Sequence, residues 1–337
     1  MKNSSNNINK TKQPALRLRK FIFHNHVHFV TCSVEEGIML PANPLVKSII
    51  KSAILRAQRL HPVVISHLLV NGTHIHMIIR IDNPQDLPDF MERLKTESAH
   101  YLNRLLGRKK RTIWCSGYDS PRLKGIKDVI SKIAYTYVNP VQDGLIESVD
   151  NYPGLSSWHL FMGRAKRMFG ILIGRDDLFK VDQDQDYRAF KKLSKLLARR
   201  GKLKELMIDT NDWFKSFGIT EQDEIDQINQ KIRKKVQEEQ EKKQAQYAEQ
   251  NKSFMGRKRL ENQGIDKYHE RKEQRGKKMW VICEDKEDRK LYIAFLKDLA
   301  WEARKVYEAW CKGDTSRRMP TGVFAPRMPV VANLIGV

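Results

Sequence analysis

Two short motifs in the middle of the chain carry residue types that could hold a cation beside a nucleophile. His74 and His76 are two residues apart in an apolar run. Residues two apart on a β-strand point to the same face, so these two imidazoles could share one metal ion. Tyr135 and Asn139 are four residues apart, which makes them neighbours on a helix. Two imidazoles, an amide oxygen and a phenol around one cation would suit a nuclease or a strand transferase that forms a phosphotyrosine.

That chemistry needs each of the four groups. A phenol with its ordinary pKa of about 10 is a poor nucleophile at neutral pH. A divalent cation held by two neutral imidazoles and an amide oxygen could polarise a scissile phosphate and orient it for in-line attack. No second, strongly acidic site is evident, so a single Mg²⁺ or Mn²⁺ is favoured over a two-metal centre.

Each motif also has a plain structural explanation. A His-x-His pair is common on strands, and the chain offers a second one in the run that contains His24, His26 and His28. Ordinary hydrogen-bonded strand histidines and a surface tyrosine are therefore the alternatives to a metal site. The combination of both motifs, not either alone, favours the catalytic interpretation.

The elements that must position these residues follow from periodicity and turn signals. Strands are predicted over residues 21–33, 62–70 and 74–81. Helices are predicted over residues 44–60, between the first two strands, and over 87–106 and 126–138, after the third. Asn71-Gly72 between the paired strands is a strong hairpin signal. This order predicts an α+β fold, a ferredoxin-like antiparallel sheet with helices on one face, followed by a mainly helical, charged C-terminal extension.

The last of these helices separates its two tyrosines. At about 100° per residue, Tyr137 shares the apolar stripe that contains Ile133. Tyr135, Asn139 and Lys132 lie together on the opposite side of the same helix. We therefore predict that Tyr137 is a core aromatic and that Tyr135 is the phenol available for chemistry.

The charge of the chain predicts a polyanionic partner. A net charge of +22 and a pI near 9.8 favour nucleic acid, although solubility and ribosome contact remain alternatives. The charge is uneven, because residues 1–20 carry six basic and no acidic residues, whereas residues 21–162 carry 16 against 12. Within the latter region, residues 93–132 hold 11 basic and 3 acidic side chains, which is typical of a phosphate-binding strip.

Composition shifts along the chain predict its organisation. We expect a basic disordered arm (residues 1–20), a catalytic domain (21–162) and a helical basic segment (163–220). A charged linker or helix (221–278) and a helix with a proline-containing tail (279–337) follow. The four cysteines form no Cys-x-x-Cys pair, and no apolar run approaches about 18 residues. A reduced cytoplasmic, nucleoid-associated protein with no membrane contact is the expectation.

The motifs resemble those of a known family. HUH-type single-tyrosine transposases, and among them the REP-associated tyrosine transposases, carry Met-Pro-Asn-His-x-His on a strand and Tyr-Ile-x-x-Asn-Pro-Val-x-x-Gly-Leu on a later helix. The counterparts are residues 71–76 and 135–145, and the resemblance covers about residues 20–162. Supporting matches lie at residues 90–98, 113–118 and 152–158. Thr73 replaces the usual Asn before the first histidine, and Gln142-Asp143 replaces a commonly basic pair.

This resemblance implies a specific activity. It implies that His74, His76 and Asn139 bind Mg²⁺ or Mn²⁺ and that Tyr135 is the nucleophile. The expected function is a transposase or nuclease that cleaves and rejoins single-stranded DNA with hairpins or palindromic repeats through a 5′-phosphotyrosine. A domesticated palindrome-processing nuclease and a non-catalytic basic nucleic-acid-binding protein are the alternatives, and a homodimer that shares its active sites between chains stays possible.

Basic side chains of the predicted strip are the candidates for DNA contact. They could follow a phosphate backbone, with Tyr101 and Trp114 as stacking surfaces for bases. A solvated helix face, a flexible loop and, for Trp114, a place in the core are the alternatives. The candidates are Arg93, Lys95, Arg104, Arg108, Lys109, Lys110, Arg111 and Lys132.

Overall fold

The computed structural model describes most of the chain in two compact units. The described residues are 20–35, 40, 42–107, 112–174, 187–264, 279–326 and 328–329, with the backbone alone for 187–190. One unit is Ile22–Lys290, and the other comprises the described residues up to Phe21 and from Leu291 onward. Residues 1–19 of the predicted basic arm lie outside the described part of the chain.

A mainly antiparallel sheet forms the centre of the larger unit. The strands are β1 (Val27–Ser33), β2 (Ile65–Val70), β3 (His74–Arg80), β4 (Arg122–Leu123), β5 (Phe169–Ile171), β6 (Leu203–Glu205) and β7 (Val281–Ile282). Five of them form one sheet in the order β2-β3-β1-β4-β7, in which only the β4–β7 pair is parallel. β5 and β6 form a separate antiparallel pair. The strand β3, which lies between β2 and β1 in this sheet, carries both predicted histidine ligands.

Eight α-helices and two short 3₁₀ helices accompany these strands among the described residues. The α-helices are α1 (Pro44–Leu60), α2 (Asp86–Leu105), α3 (Ile126–Gln142), α4 (Trp158–Phe161), α5 (Tyr187–Arg200), α6 (Gln222–Glu249), α7 (Arg257–Glu261) and α8 (Lys286–Cys311). The 3₁₀ helices are Val149–Asn151 and Asp212–Phe217. None of the helices in the described residues combines the length and apolar character that a membrane span requires.

The helix α3 runs further than its sequence predicts. The expectation that it ends before Pro140 is wrong, since it continues to Gln142. Pro140 lacks an N–H and removes one hydrogen bond near the end of the helix, but the bond from Asp143 N–H to Asn139 C=O (2.9 Å) is still made. Gly144, with a positive φ of 70°, then ends the helix in the left-handed conformation.

The predicted α+β class with an antiparallel sheet is confirmed. Alternate residues of β3 are buried on both of its faces, Ile75 and Met77 on one and His76 and Ile78 on the other. The sheet is therefore covered on both of its faces. The sequence had indicated that helices cover one face. The helix α3 packs on the face that carries His76 and Ile78.

The C-terminal region contributes to the same core. Trp213 and Phe214 of the second 3₁₀ helix, together with Ile228 and Ile232 of α6, are buried in one cluster with Ile133 of α3. The helix α6 packs directly along α3. The domain boundaries stay predictions, but this core runs across the boundary predicted after residue 162.

Burial of His67 predicts a pH-dependent stability. His67 is fully buried on β2, and its Nδ1 lies 2.6 Å from the Tyr137 hydroxyl. Desolvation by burial lowers its pKa from 6.5 to about 3. As the pH falls below about 6.5 the unfolded chain binds a proton at this residue that the folded chain does not, so stability is lost.

We expect the free energy of unfolding to decrease by about 2 kcal/mol between pH 7 and pH 5 through His67 alone. Denaturant titration at both pH values measures this decrease. The variant His67→Phe should have a correspondingly flatter dependence, whereas His100→Gln, a change at an exposed histidine, should keep the original slope. An equal slope in His67→Phe and the parent protein would contradict the assignment.

Candidate active site

The two histidines of β3 and the amide of α3 meet on one face of the sheet. The rings of His74 and His76 point to this face, with their centroids 4.4 Å apart. The helix α3 crosses it and places Asn139 Oδ1 2.8 Å from His74 Nε2. The structure thus brings together the three side chains that were predicted to bind a metal ion.

The predicted nucleophile lies one helical turn before Asn139. The ring of Tyr135 is half-buried and packs edge-on against His76, with centroids 5.5 Å apart, and against Phe29 at 6.0 Å. Asn139 shares this side of α3, but it is buried, although the sequence had placed it opposite the apolar stripe. It is buried because α3 lies between the sheet and α6 and is therefore covered on two sides.

Two threonine hydroxyls orient the imidazole rings. Thr31 Oγ1 lies 3.0 Å from His76 Nδ1, and Thr73 Oγ1 lies 3.1 Å from His74 Nδ1. In both rings this leaves Nε2 as the nitrogen that faces the site. Such contacts fix the tautomer and the ring orientation of metal-binding histidines. Thr73, which replaces the family's asparagine, thus still supplies a polar contact to the first histidine.

Asn71 is a buried residue of the site that sequence reasoning missed. It stands at the hairpin between β2 and β3, and its Nδ2 donates to Asn139 Oδ1 and, at 2.6 Å, to Asp143 Oδ2. Thr31 was also missed. The β1–β3 register, in which Thr31 faces His76, could have identified it, but that register is not visible in a single strand.

Burial keeps the two imidazoles of the site neutral. The pKa of His76 lies well below its ordinary value because of desolvation, with smaller contributions from the charges of His74 and Lys132. Desolvation also lowers the pKa of His74, and the charge of Asp143 opposes this shift. Both imidazoles are therefore unprotonated near pH 7, which is the form that binds metals. Burial, then Asp143, raises the pKa of Tyr135, and its hydrogen bond with Asn139 opposes that shift.

The donor atoms fit a divalent cation. His76 Nε2 is buried and has no hydrogen-bond partner among the described residues, which is costly unless a ligand satisfies it. Two donors bound to one Mg²⁺ at about 2.1 Å lie about 3 Å apart, close to the spacing of His74 Nε2 and Asn139 Oδ1. Within the described ranges, no cluster of three or more His, Cys, Asp or Glu could hold a metal, and the Asn139 amide is the further donor that the structure places beside the two histidines.

The second histidine run lies away from this site. His28 stands next to Phe29 on β1 and therefore points to the opposite face, where its Nδ1 is 2.9 Å from the carbonyl oxygen of Ser120. His24 Nδ1 contacts the carbonyl oxygen of Asp82. These histidines form ordinary structural contacts.

Of the predicted DNA contacts, the structure places Lys132 at the site. Its Nζ lies 4.6 Å from the centroid of the Tyr135 ring. Arg93 instead pairs with Glu97 at 2.6 Å, and Lys95 donates to two carbonyl oxygens of the loop that follows α2, each at 2.8 Å. Arg104 is partly buried on α2. Their contacts with DNA stay predictions, and Arg108, Lys109, Lys110 and Arg111 lie outside the described residues.

The two candidate stacking aromatics are buried. Tyr101 is fully buried and donates to the carbonyl oxygen of Ile173 at 2.8 Å. Trp114 is 5% exposed and donates through Nε1 to Ser98 Oγ at 2.9 Å. Both therefore belong to the core in this structure, and the interpretation of Trp114 as a core residue is the correct one.

Comparisons with known proteins agree with the sequence motifs. Residues 21–138 match the family model described as "Transposase IS200 like". A solved structure described as a REP-associated tyrosine transposase bound to a REP hairpin is 20% identical, with a TM-score of 0.38, over 44% of this chain and 86% of that chain. No curated protein matches the chain. The resemblance predicted from the motifs is confirmed, because residues 21–138 match the family of IS200-like transposases.

Proposed function

We propose that the protein is a DNA strand transferase that cleaves and rejoins hairpin-bearing single-stranded DNA through Tyr135. The observation that carries this proposal is the meeting of four groups within one chain. Asn139 lies 2.8 Å from His74, and the Tyr135 ring packs against His76. His74, His76 and Tyr135 lie in the segment that matches the transposase family, and Asn139 follows directly after it. No partner subunit is needed to complete the set, although a homodimer stays a prediction.

Single-stranded DNA with hairpins or palindromic repeats is the proposed substrate. The motif resemblance implies this class of DNA, and the net charge of +22 favours a polyanion. A reduced cytoplasmic location near the nucleoid would accord with such a substrate. A domesticated palindrome-processing nuclease would use the same site and the same chemistry, and would differ only in its natural DNA substrate.

His74 and His76 through Nε2, and Asn139 through Oδ1, would hold a divalent cation, Mg²⁺ or Mn²⁺. When bound, such a cation would polarise the scissile phosphate and orient it for in-line attack. The protein prepares these donors in advance. Thr31 and Thr73 hold the rings, burial keeps the imidazoles neutral, and the Asn71 amide turns Asn139 Oδ1 toward His74.

Tyr135 would perform the covalent step. Its Oη attacks the phosphorus, the bond from phosphorus to Oη forms, and the bond from phosphorus to the 3′-oxygen breaks. The phenol loses its proton, and the departing 3′-oxygen takes one up to become a hydroxyl. The product retains a phosphodiester, so attack by a 3′-hydroxyl on the phosphotyrosine rejoins strands by the reverse route.

Lys132 would stabilise the negative charge of this step. Its ammonium lies 4.6 Å from the centroid of the Tyr135 ring and 5.4 Å from that of Phe29. Lys132 is partly buried, and desolvation by burial lowers its pKa. A positive charge in such a place interacts strongly with a developing phenolate and with the phosphate.

We therefore expect Lys132→Met to reduce the rate of strand cleavage by about 10- to 100-fold. Single-turnover cleavage of a labelled hairpin measures this rate. Lys132→Arg should recover part of it, and Lys127→Met, a change at an exposed position of the same helix, should cleave at the parent rate. Equal rates for Lys132→Met and Lys127→Met would contradict a role for Lys132.

Cleavage of labelled hairpin oligonucleotides tests the proposed function. The oligonucleotides come from the DNA that flanks the gene, and the reactions contain Mn²⁺ or a chelator. Cation-dependent cleavage with a free 3′-hydroxyl on one product would support the proposal. Tight binding without cleavage on any oligonucleotide would instead favour a non-catalytic nucleic-acid-binding protein.

A further inference from the structure

An acidic side chain borders the proposed catalytic site. Asp143 follows α3 directly, four residues after Asn139, and its side chain is exposed. Helix stability does not explain this residue, because a negative charge at the C-terminal end of a helix opposes the helix dipole.

A buried amide connects Asp143 to the proposed metal ligands. Asn71 is fully buried, and its Nδ2 donates both to Asp143 Oδ2 at 2.6 Å and to Asn139 Oδ1. Its Oδ1 has no hydrogen-bond partner among the described residues. The two acceptors thus hold the amide with its nitrogen toward the site, and this orientation keeps Asn139 Oδ1 facing His74.

The charge of Asp143 reaches the reacting groups. Burial lowers the pKa of His74 and raises that of Tyr135; the charge of Asp143 opposes the first shift and adds to the second. The same charge also raises the pKa of Tyr152 and Tyr247 nearby. The carboxylate therefore adds negative potential at His74 and Tyr135, a proposed metal ligand and the proposed nucleophile.

We propose that Asp143 makes DNA binding at this site depend on a divalent cation, an inference that rests on the proposed function. Without the cation, the Asp143 carboxylate repels an approaching phosphate, because both groups are negatively charged. With the cation bound, the same carboxylate adds attraction for the metal, and the net potential becomes favourable for DNA. The protein would thus engage the cleavage position of the DNA only when it is ready to cut.

Binding of a labelled hairpin oligonucleotide, followed by fluorescence anisotropy with Mg²⁺ or with a chelator, tests this inference. All proteins carry Tyr135→Phe, so that none can cut. In this parent, Mg²⁺ should lower the Kd about 10-fold. Addition of Asp143→Asn should reduce the ratio of the Kd with chelator to the Kd with Mg²⁺ to less than about 3, mainly because binding without the cation becomes tighter.

Matched variants separate the charge from the hydrogen bond. Asp143→Asn keeps an oxygen that can accept from Asn71, whereas Asp143→Ala removes both the charge and the acceptor. Glu147→Gln removes an exposed carboxylate four residues away and should keep the parent's ratio. Binding of Mn²⁺ without DNA, measured by electron paramagnetic resonance, should weaken about 10-fold in Asp143→Asn and not in Glu147→Gln.

The outcomes distinguish this inference from the proposed function. An unchanged ratio in Asp143→Asn, or a change in Asp143→Ala alone, would overturn the charge-based inference while the proposed function stands. A parent that binds hairpins equally with and without Mg²⁺ would also overturn it. A parent that does not bind hairpin DNA at all would overturn the proposed function itself.

Discussion

Replacement of Tyr135 by phenylalanine should abolish strand cleavage, by about 10⁴-fold or more, and leave the Kd for hairpin DNA within about twofold of the parent value. The change removes only the phenolic oxygen. The ring keeps its packing against His76 and Phe29, so the fold and the DNA surface remain. Single-turnover cleavage and equilibrium binding, measured on the same hairpin, separate the two effects.

Tyr137→Phe is the matched control for this prediction. The Tyr137 hydroxyl is buried between His67 and Ser157, and its ring belongs to the core. Loss of its hydrogen bonds should cost about 1 kcal/mol of stability and leave cleavage intact. Cleavage that survives Tyr135→Phe but not Tyr137→Phe would move the role of nucleophile to Tyr137.

Removal of either histidine of β3 should reduce cation-dependent cleavage by about 10³-fold. His74→Ala and His76→Ala each take one nitrogen from the proposed set of three donors. Cleavage measured over a range of Mn²⁺ concentrations reports both the maximal rate and the cation requirement. His24→Ala, a change at an exposed histidine of the other run, should keep the parent rate.

His76→Phe separates function from stability at the same position. His76 Nε2 is buried and without a partner in the described part of the chain, and a phenyl ring has no polar atom to leave unsatisfied. Because the contact of Thr31 with His76 Nδ1 is also lost, the variant should stay within about 1 kcal/mol of the parent in stability and be inactive, the combination expected where a site is built for a ligand. A cleavage rate at the parent level in both His76→Phe and His76→Ala would contradict a metal-binding role.

The elements that build the site were predictable because their signals are local. The apolar run around His74, the Asn71-Gly72 turn and the helical spacing of Tyr135 and Asn139 each lie within a few residues. The expected early end of α3 was wrong because a proline in the last turn costs one hydrogen bond and the rest of the turn still forms. Local rules therefore place the elements better than they place their ends.

The parts that the sequence did not predict depend on distant contacts. Thr31 meets His76 through strand register, and Trp213 joins the core from a segment that looked like an appendage. The predicted phosphate-binding strip at residues 93–132 also depends on contacts that the sequence does not show. Arg93 and Lys95 satisfy partners within the chain, and a count of basic residues cannot show which charges are already paired.

A covalent adduct between Tyr135 and DNA tests the central claim most directly. The purified protein is incubated with Mn²⁺ and a hairpin oligonucleotide, denatured, digested with a protease and analysed by mass spectrometry. We predict a peptide in which Tyr135 carries the 5′-phosphate of the cleaved strand, absent when a chelator replaces Mn²⁺. Cleaved DNA with an unmodified Tyr135, or an adduct on another residue, would contradict the mechanism.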